Sequence, residues 1–257
     1  MTTPTRSTRR KQFSLRTLLI AVTLLSILFG WLAVTLGEIN RERAAAVTIV
    51  ALGGNVWWDK SPRVGSAWLQ SLQSLWGDTV PGRVIRVDFT GTQVTDTDLK
   101  HLRDLPSLES LSLYQMRTSD AGLEQLAGLT HLYELRLDST QITDAGLKHL
   151  TGLCELRCLN LSRTQITDVG LKHFNEVGVL DNVLLSGTLI TDVGLEHVAV
   201  LNRLRSLDLS GTQITDAGLR HLEGLKALTR VNLKDTKVTD EGVKKLQLAV
   251  PACEIVR

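Results

Sequence analysis

The sequence predicts an α/β solenoid of stacked strand–turn–helix units, preceded by one transmembrane helix. Three observations carry that prediction. A 24-residue spacing repeats from Val84 without insertion or deletion, the hydrophobic period changes inside each unit, and a charge-free apolar run lies near the N-terminus.

Residues 1–16 form a basic tail. Arg6, Arg9, Arg10, Lys11 and Arg16 place five positive charges there, with no acid. Formal net charge is +2, from 29 basic and 27 acidic residues. Without those five the basic count falls to 24, so the body is slightly acidic, about −3. A mildly acidic body is a poor partner for phosphate backbones, and no nucleic acid is expected.

Residues 17–37, TLLIAVTLLSILFGWLAVTLG, carry no charge. As a helix this stretch is about 31 Å long, which matches a hydrocarbon core of about 30 Å. It reads as a transmembrane signal-anchor, with Trp31 near the far interface. The competing reading is a cleaved signal peptide, whose apolar region would be shorter and followed by a small-residue cleavage site. Ala44, Ala45 and Ala46 make a poor version of such a site. Arg9 and Arg10 hint at a twin-arginine signal, but Phe13 falls one place late for it. The lysine and arginine bias puts the N-terminus in the cytoplasm and the body outside.

Residues 38–83 hold four of the five tryptophans, Trp57, Trp58, Trp68 and Trp76. An amphipathic stretch from Arg41 to Leu52 ends at Gly53-Gly54, and the VWW that follows reads as a strand. Trp68, Leu69, Leu72, Leu75 and Trp76 then recur at helical spacing. An open solenoid needs its first core face covered. This linker is expected to be an N-terminal cap that shields Val84, Val87 and Phe89; the alternative is an aromatic patch resting on the membrane.

Seven units span residues 84–251 and begin at Val84, Leu108, Leu132, Leu156, Leu180, Leu204 and Leu228; residues 252–257 form a truncated terminal strand. Positions 1, 4, 6, 11, 16, 19 and 22 of every unit are apolar except at Thr118. Leu135 and Leu137 alternate as in a strand, whereas Leu147, Leu150 and Leu153 recur at helical spacing. One unit cannot bury its own apolar side, so neighbours must share a core.

These residues resemble the leucine-rich repeat family, in the subclass with the signature LxxLxLxxTxITDxGLxxL. The resemblance covers residues 84–257. It implies a curved solenoid with the parallel β-sheet on the concave side and short helices on the convex side. With its basic tail and span, the whole chain resembles the single-pass membrane-anchored repeat proteins common in some bacteria. That wider resemblance implies a location and not an activity.

Four columns look chemical. Asp96, Asp120, Asp144, Asp168, Asp192, Asp216 and Asp240 could suggest calcium, but each sits where a helix begins, so helix capping is the expectation. His101, His149, His173, His197 and His221 lie between core positions of the short helix and are expected to pack on its surface. Thr92, Thr140, Thr164, Thr188, Thr212 and Thr236 are expected to bond to the neighbouring unit's backbone. Gly122, Gly146, Gly170, Gly194, Gly218 and Gly242 keep the turn thin, with Asp98 in their place in unit one. The three cysteines, Cys154, Cys158 and Cys253, have no metal-knuckle spacing and no disulfide framework.

Side chains at positions 3, 5 and 7 should point away from the core, with 2 and 8 at the margins, and these positions are free to vary. Their densest cluster is Tyr114, Glu134, Arg136, Asp138, Asn160 and Arg163, in units two to four. Tyrosine and arginine are the types enriched at interface hot spots. The expected function is a non-enzymatic, membrane-anchored module that offers this surface to a protein partner. A structural or self-associating spacer is the alternative, and a proteolysis adaptor is weaker because residues 38–83 match a recruiting helix pair poorly. No nucleophile–base set or glycine-rich phosphate loop appears. No cofactor, metal or small-molecule substrate is expected.

Overall fold

A computed structural model describes residues 15–59, 82–177 and 179–257. The helix expected around Trp68 to Trp76 lies outside the described residues, as do Arg6, Arg9, Arg10 and Lys11 of the basic tail. Two compact units are present, Met1–Arg41 and Glu42–Arg257.

In the first unit, the N-terminal helix starts at Leu15; it ends at Ala51, its last turns belonging to the second unit. Straight-chain and branched apolar residues run all round it, and Leu19, Ile20, Ile27 and Phe29 are each exposed. Thr23, Ser26 and Thr35 satisfy their hydroxyls on carbonyls four residues back, so these three need no outside partner. The stretch from Leu19 has mean hydropathy 2.4 and is long and apolar enough to cross a membrane.

The second unit is a nine-stranded sheet in sequential order, β1 to β9. β1 (Asn55–Asp59) is antiparallel to β2 (Arg83–Asp88). The parallel strands that follow are β3 (Ser110–Ser112), β4 (Glu134–Arg136), β5 (Cys158–Asn160), β6 (Asn182–Leu184), β7 (Ser206–Asp208), β8 (Arg230–Asn232) and β9 (Glu254–Val256). Each residue of β3 through β8 pairs with the residue 24 later in the next strand, as in Leu111–Leu135–Leu159. The repeat length is therefore the register.

The leucines that mark the repeat form one continuous core, nearly all fully buried. Fully burying one such side chain is worth about 1.5–3 kcal/mol. At the leading end, Ala45, Ala46 and Ile49 of the helix are buried in that core, and the first unit's inward residues Val84, Val87 and Phe89 are wholly covered. Glu42 is also buried, and its carboxylate accepts the Val84 N–H at 2.6 Å. Gly54 permits this closure, because a Cβ there would lie 2.8 Å from Ile49 and 2.9 Å from Phe89.

Most units follow the strand with one α-helical turn and a 3₁₀ turn, for example Asp144–Leu147 and Lys148–Leu150. The last unit instead makes a ten-residue α-helix, Asp240–Ala249. The inward role of position 22 thereby passes from Ala249, half-buried, to Val250.

The aspartate column does something other than the expected capping. The preceding Ser or Thr caps the helix: Thr143, for instance, accepts the Ala145 N–H. The aspartate reaches into the next unit. Asp120 accepts the Thr143 N–H at 2.8 Å and its hydroxyl at 2.6 Å, and the same pair recurs from Asp96–Ser119 to Asp216–Thr239. Six identical rungs staple seven units. These are charge-assisted bonds, the stronger kind.

The conserved-length turn explains the glycine beside it. A Cβ on Gly122, Gly146, Gly170, Gly194, Gly218 or Gly242 would collide with the carboxylate of the preceding unit's aspartate. Unit one has no preceding aspartate to accommodate, which leaves room for Asp98. That residue supplies the missing rung itself, accepting the Thr95 N–H at 2.9 Å and the Thr95 hydroxyl at 2.7 Å. At the other end, Asp240 pairs with Arg257.

Two further expectations need correction. Five of the six position-9 threonines bond within their own unit, not to the neighbour: the hydroxyls of Thr140, Thr164, Thr188, Thr212 and Thr236 donate to the carbonyl three residues back at 2.5–2.6 Å, whereas that of Thr92 donates to the Met116 sulfur of the next unit at 3.6 Å. Position 8 is also less free than supposed. It is left-handed in all seven units, at Gly91, Gln115, Ser139, Arg163, Gly187, Gly211 and Asp235. Only glycine takes that conformation without cost.

Candidate protein-binding surface

Alternation along each short strand sends position 4 into the core and positions 3 and 5 to the open face. The register then sets Ser112, Arg136 and Asn160 side by side, and likewise Ser110, Glu134 and Cys158. Tyr114 and Asp138 follow their strands at position 7, and Arg163 occupies the left-handed turn after β5.

Three of the six predicted residues are brought together. The Arg136 guanidinium lies 5.3 Å from the centre of the Tyr114 ring, and its Nε and Nη2 are each 3.4 Å from the Asp138 carboxylate. A cation over an aromatic face is attracted to it, by about 0.5–1 kcal/mol at exposed sites. Asp138 is almost wholly buried, at 7% exposure. The guanidinium is thus held in one place between ring and carboxylate. Such preorganisation reduces the ordering cost of binding.

The other three are placed differently. Glu134 turns toward unit two, accepting the Ser110 hydroxyl at 2.9 Å. Asn160 sits beside Arg136 in the register, and its side-chain oxygen accepts the Ser162 N–H at 3.0 Å. Arg163 is exposed and stands at the margin. Tyr133, also exposed, lies at position 2, where Arg157 approaches its ring at 5.8 Å.

Burial, then the nearby Asp181 and Glu134 carboxylates, push the Cys158 thiol above its ordinary range, which keeps it protonated and weakly nucleophilic. Burial of Asp88 would raise its pKa, but bonds from the hydroxyl and N–H of Thr90 outweigh it and hold the carboxyl low. Among the described residues no three His, Cys, Asp or Glu side chains converge to hold a metal ion. The position-18 histidines are half-buried on their short helices.

A second region escaped the sequence reading. Unit five carries apolar side chains at surface positions where most other units have polar or small ones: Leu184 at position 5, Leu189 at 10, Val193 at 14 and Val200 at 21. Leu189, Val193 and Val200 are exposed, at 60%, 60% and 47%. The signal was present as a departure from the unit's own consensus. Three of the four positions lie outside 3, 5 and 7, so strand alternation does not point to them.

Comparison with known proteins accords with this architecture. The family described as leucine-rich repeat matches residues 128–150, 153–174, 201–222 and 224–246. These four segments are leucine-rich repeats. A search of functionally characterised proteins gave no match. Among solved structures, an internalin of Listeria monocytogenes is similar over 66% of this chain, with 24% identity and a TM-score of 0.49. The match takes in 52% of that protein, so this chain spans about half its length. Internalin C2 of the same organism is similar over 70% of this chain and 87% of its own, with 24% identity and a TM-score of 0.48.

Proposed function

We propose that this protein is a non-enzymatic, membrane-tethered binding module that presents the open face of units two to four to another protein. The carrying observation is Arg136, fixed between the Tyr114 ring and the nearly buried Asp138 carboxylate on an otherwise solvent-facing sheet. An immobilised guanidinium beside an aromatic ring suits a desolvated hot spot. The apolar helix from Leu19 supplies the tether, with the basic N-terminus cytoplasmic and the repeats on the outer side.

The test is capture of partners from solubilised native membranes by the full chain. Arg136→Ala alone is a poor probe, since it strands Asp138 and costs stability. Tyr114→Ala removes a half-buried ring and Arg163→Ala an exposed side chain, and neither strands a buried charge. Each should lose the captured protein while the Tm stays within a degree or two of the parent. Retention of the same partner by the double variant would contradict the reading.

A further inference from the structure

Two neighbouring hollows lie along the edge where units four to six return from helix to strand. One, of about 330 Å³, is lined by Phe174, Val179, Leu180, Val200 and Leu201, with Asn175 at its margin. The other, of about 230 Å³, is lined by Arg157, Arg203 and Arg205 around Asp181. Asn202 and Arg203 line both, so the two form one groove with an apolar end and a basic end.

Charge at the basic end is unbalanced. Among the described residues Asp181 is the single carboxylate lining it, and it takes an ion pair from Arg157 at 3.7 Å. Arg203 and Arg205 are exposed and enter no ion pair among the described residues. Two guanidiniums are left over in a body whose formal charge is slightly acidic. Guanidinium forks match carboxylates in a two-point geometry. At the other end, Val200 stands as an exposed apolar lip over a floor containing Phe174. The side-chain amides of Asn175, in the first hollow, and Asn202, shared by both, make no hydrogen bond among the described residues, and an amide can pair with a peptide group on both its donor and acceptor sides.

We propose that this groove docks an extended peptide segment of a partner protein, with one large apolar side chain in the hollow beside Val200 and adjacent Asp or Glu carboxylates on Arg203 and Arg205. Charge complementarity selects the acid. The openness of both hollows selects a peptide over a small ligand, because small-molecule sites enclose most of their occupant. The site is separate from the Tyr114–Arg136 face and stands without it.

The test uses the full chain in detergent micelles and three labelled, end-blocked pentapeptides, read by fluorescence anisotropy. These are Gly-Glu-Phe-Asp-Gly, its uncharged form Gly-Gln-Phe-Asn-Gly, and Gly-Glu-Gly-Asp-Gly. The first should bind, and each of the others should bind about 10-fold more weakly, equivalent to about 1.4 kcal/mol. Arg203→Ala with Arg205→Ala should weaken the first peptide about 10-fold, again about 1.4 kcal/mol, with Tm unchanged, since both side chains are exposed. Added salt should weaken it as well. Tyr114→Ala should leave it unaffected, which separates this groove from the sheet face. Failure of the first peptide to bind, equal binding of the uncharged form, or indifference to the arginine variant would each overturn the proposal. So would displacement of the peptide by inorganic phosphate or laurate at equal concentration, which would assign the groove to a small anion or a lipid acid.

Discussion

Replacing a glycine inside a helical turn by alanine ordinarily stabilises a protein by roughly 0.5–1 kcal/mol. Gly146→Ala should do the reverse. A Cβ at Gly146 would fall well inside 3.0 Å of the Asp120 carboxylate, a separation that real Cβ atoms essentially never show. The carboxylate must swing away and release both the N–H and the hydroxyl of Thr143, now at 2.8 and 2.6 Å. Hydrogen bonds to a charged group are worth about 1.5 kcal/mol each at the low end of their range. Hydration of the half-buried carboxylate recovers part of that loss, and the alanine's propensity a little more. The net cost is about 2 kcal/mol, or a fall in Tm of roughly 4–8 °C. The assay is a double-mutant cycle by chemical denaturation. In an Asp120→Ala background the obstacle is gone, so Gly146→Ala should be neutral or stabilising, giving a coupling of about 2–3 kcal/mol. An equal cost in both backgrounds would refute the staple as the reason for the glycine.

Three other predictions concern stability. Thr118 is wholly buried at a core position, and its hydroxyl finds no partner among the described residues; Thr118→Val should therefore gain about 1 kcal/mol by denaturant titration, and a loss would show that the hydroxyl is satisfied after all. Arg163 holds a left-handed φ of 56°, so Arg163→Gly should raise stability by about 0.5–1 kcal/mol while weakening partner capture; a lowered Tm would contradict the strain. The carboxyls of Asp98 and Asp216 are held low, the first mainly by the Thr95 N–H and the second mainly by the Thr239 hydroxyl. A lowered folded pKa stabilises while the group is ionised, above the unfolded value of about 3.9, and that contribution fades as pH falls through the folded value. Tm should thus be level from pH 7 to about 5 and fall below about 4, and Asp216→Asn should blunt the fall; a decline starting near pH 6 would implicate histidines instead.

The strand, the turn, the helix and the register were all legible, because each apolar position recurs every 24 residues and has one way to become buried. What a strict repeat hides is which copy a side chain bonds to. Asp144 could have served its own helix or the next one, since both look the same from the sequence; only the coordinates show it on Thr167. The same ambiguity sent the Thr164 hydroxyl, in expectation, to a neighbour when it turns back on Leu161. On the open face, proximity of Tyr114, Arg136 and Asp138 followed from position numbers. The burial of Asp138 did not, because position 7 is exposed or shielded depending on the length of the side chains flanking it. The groove beside Val200 was hidden for another reason. The residues that distinguish it, Val200, Asn202, Arg203 and Arg205, fall at positions that vary from unit to unit.

The most direct measurement is site-specific photo-crosslinking of the full chain in intact native membranes. A crosslinker in place of Tyr114 or Asn160 should yield a discrete adduct with a different protein, and one in place of Lys148, on the helix side of unit three, should not. Adducts only with further copies of this chain, or equal adducts from both sides, would contradict a partner held on the sheet face of units two to four.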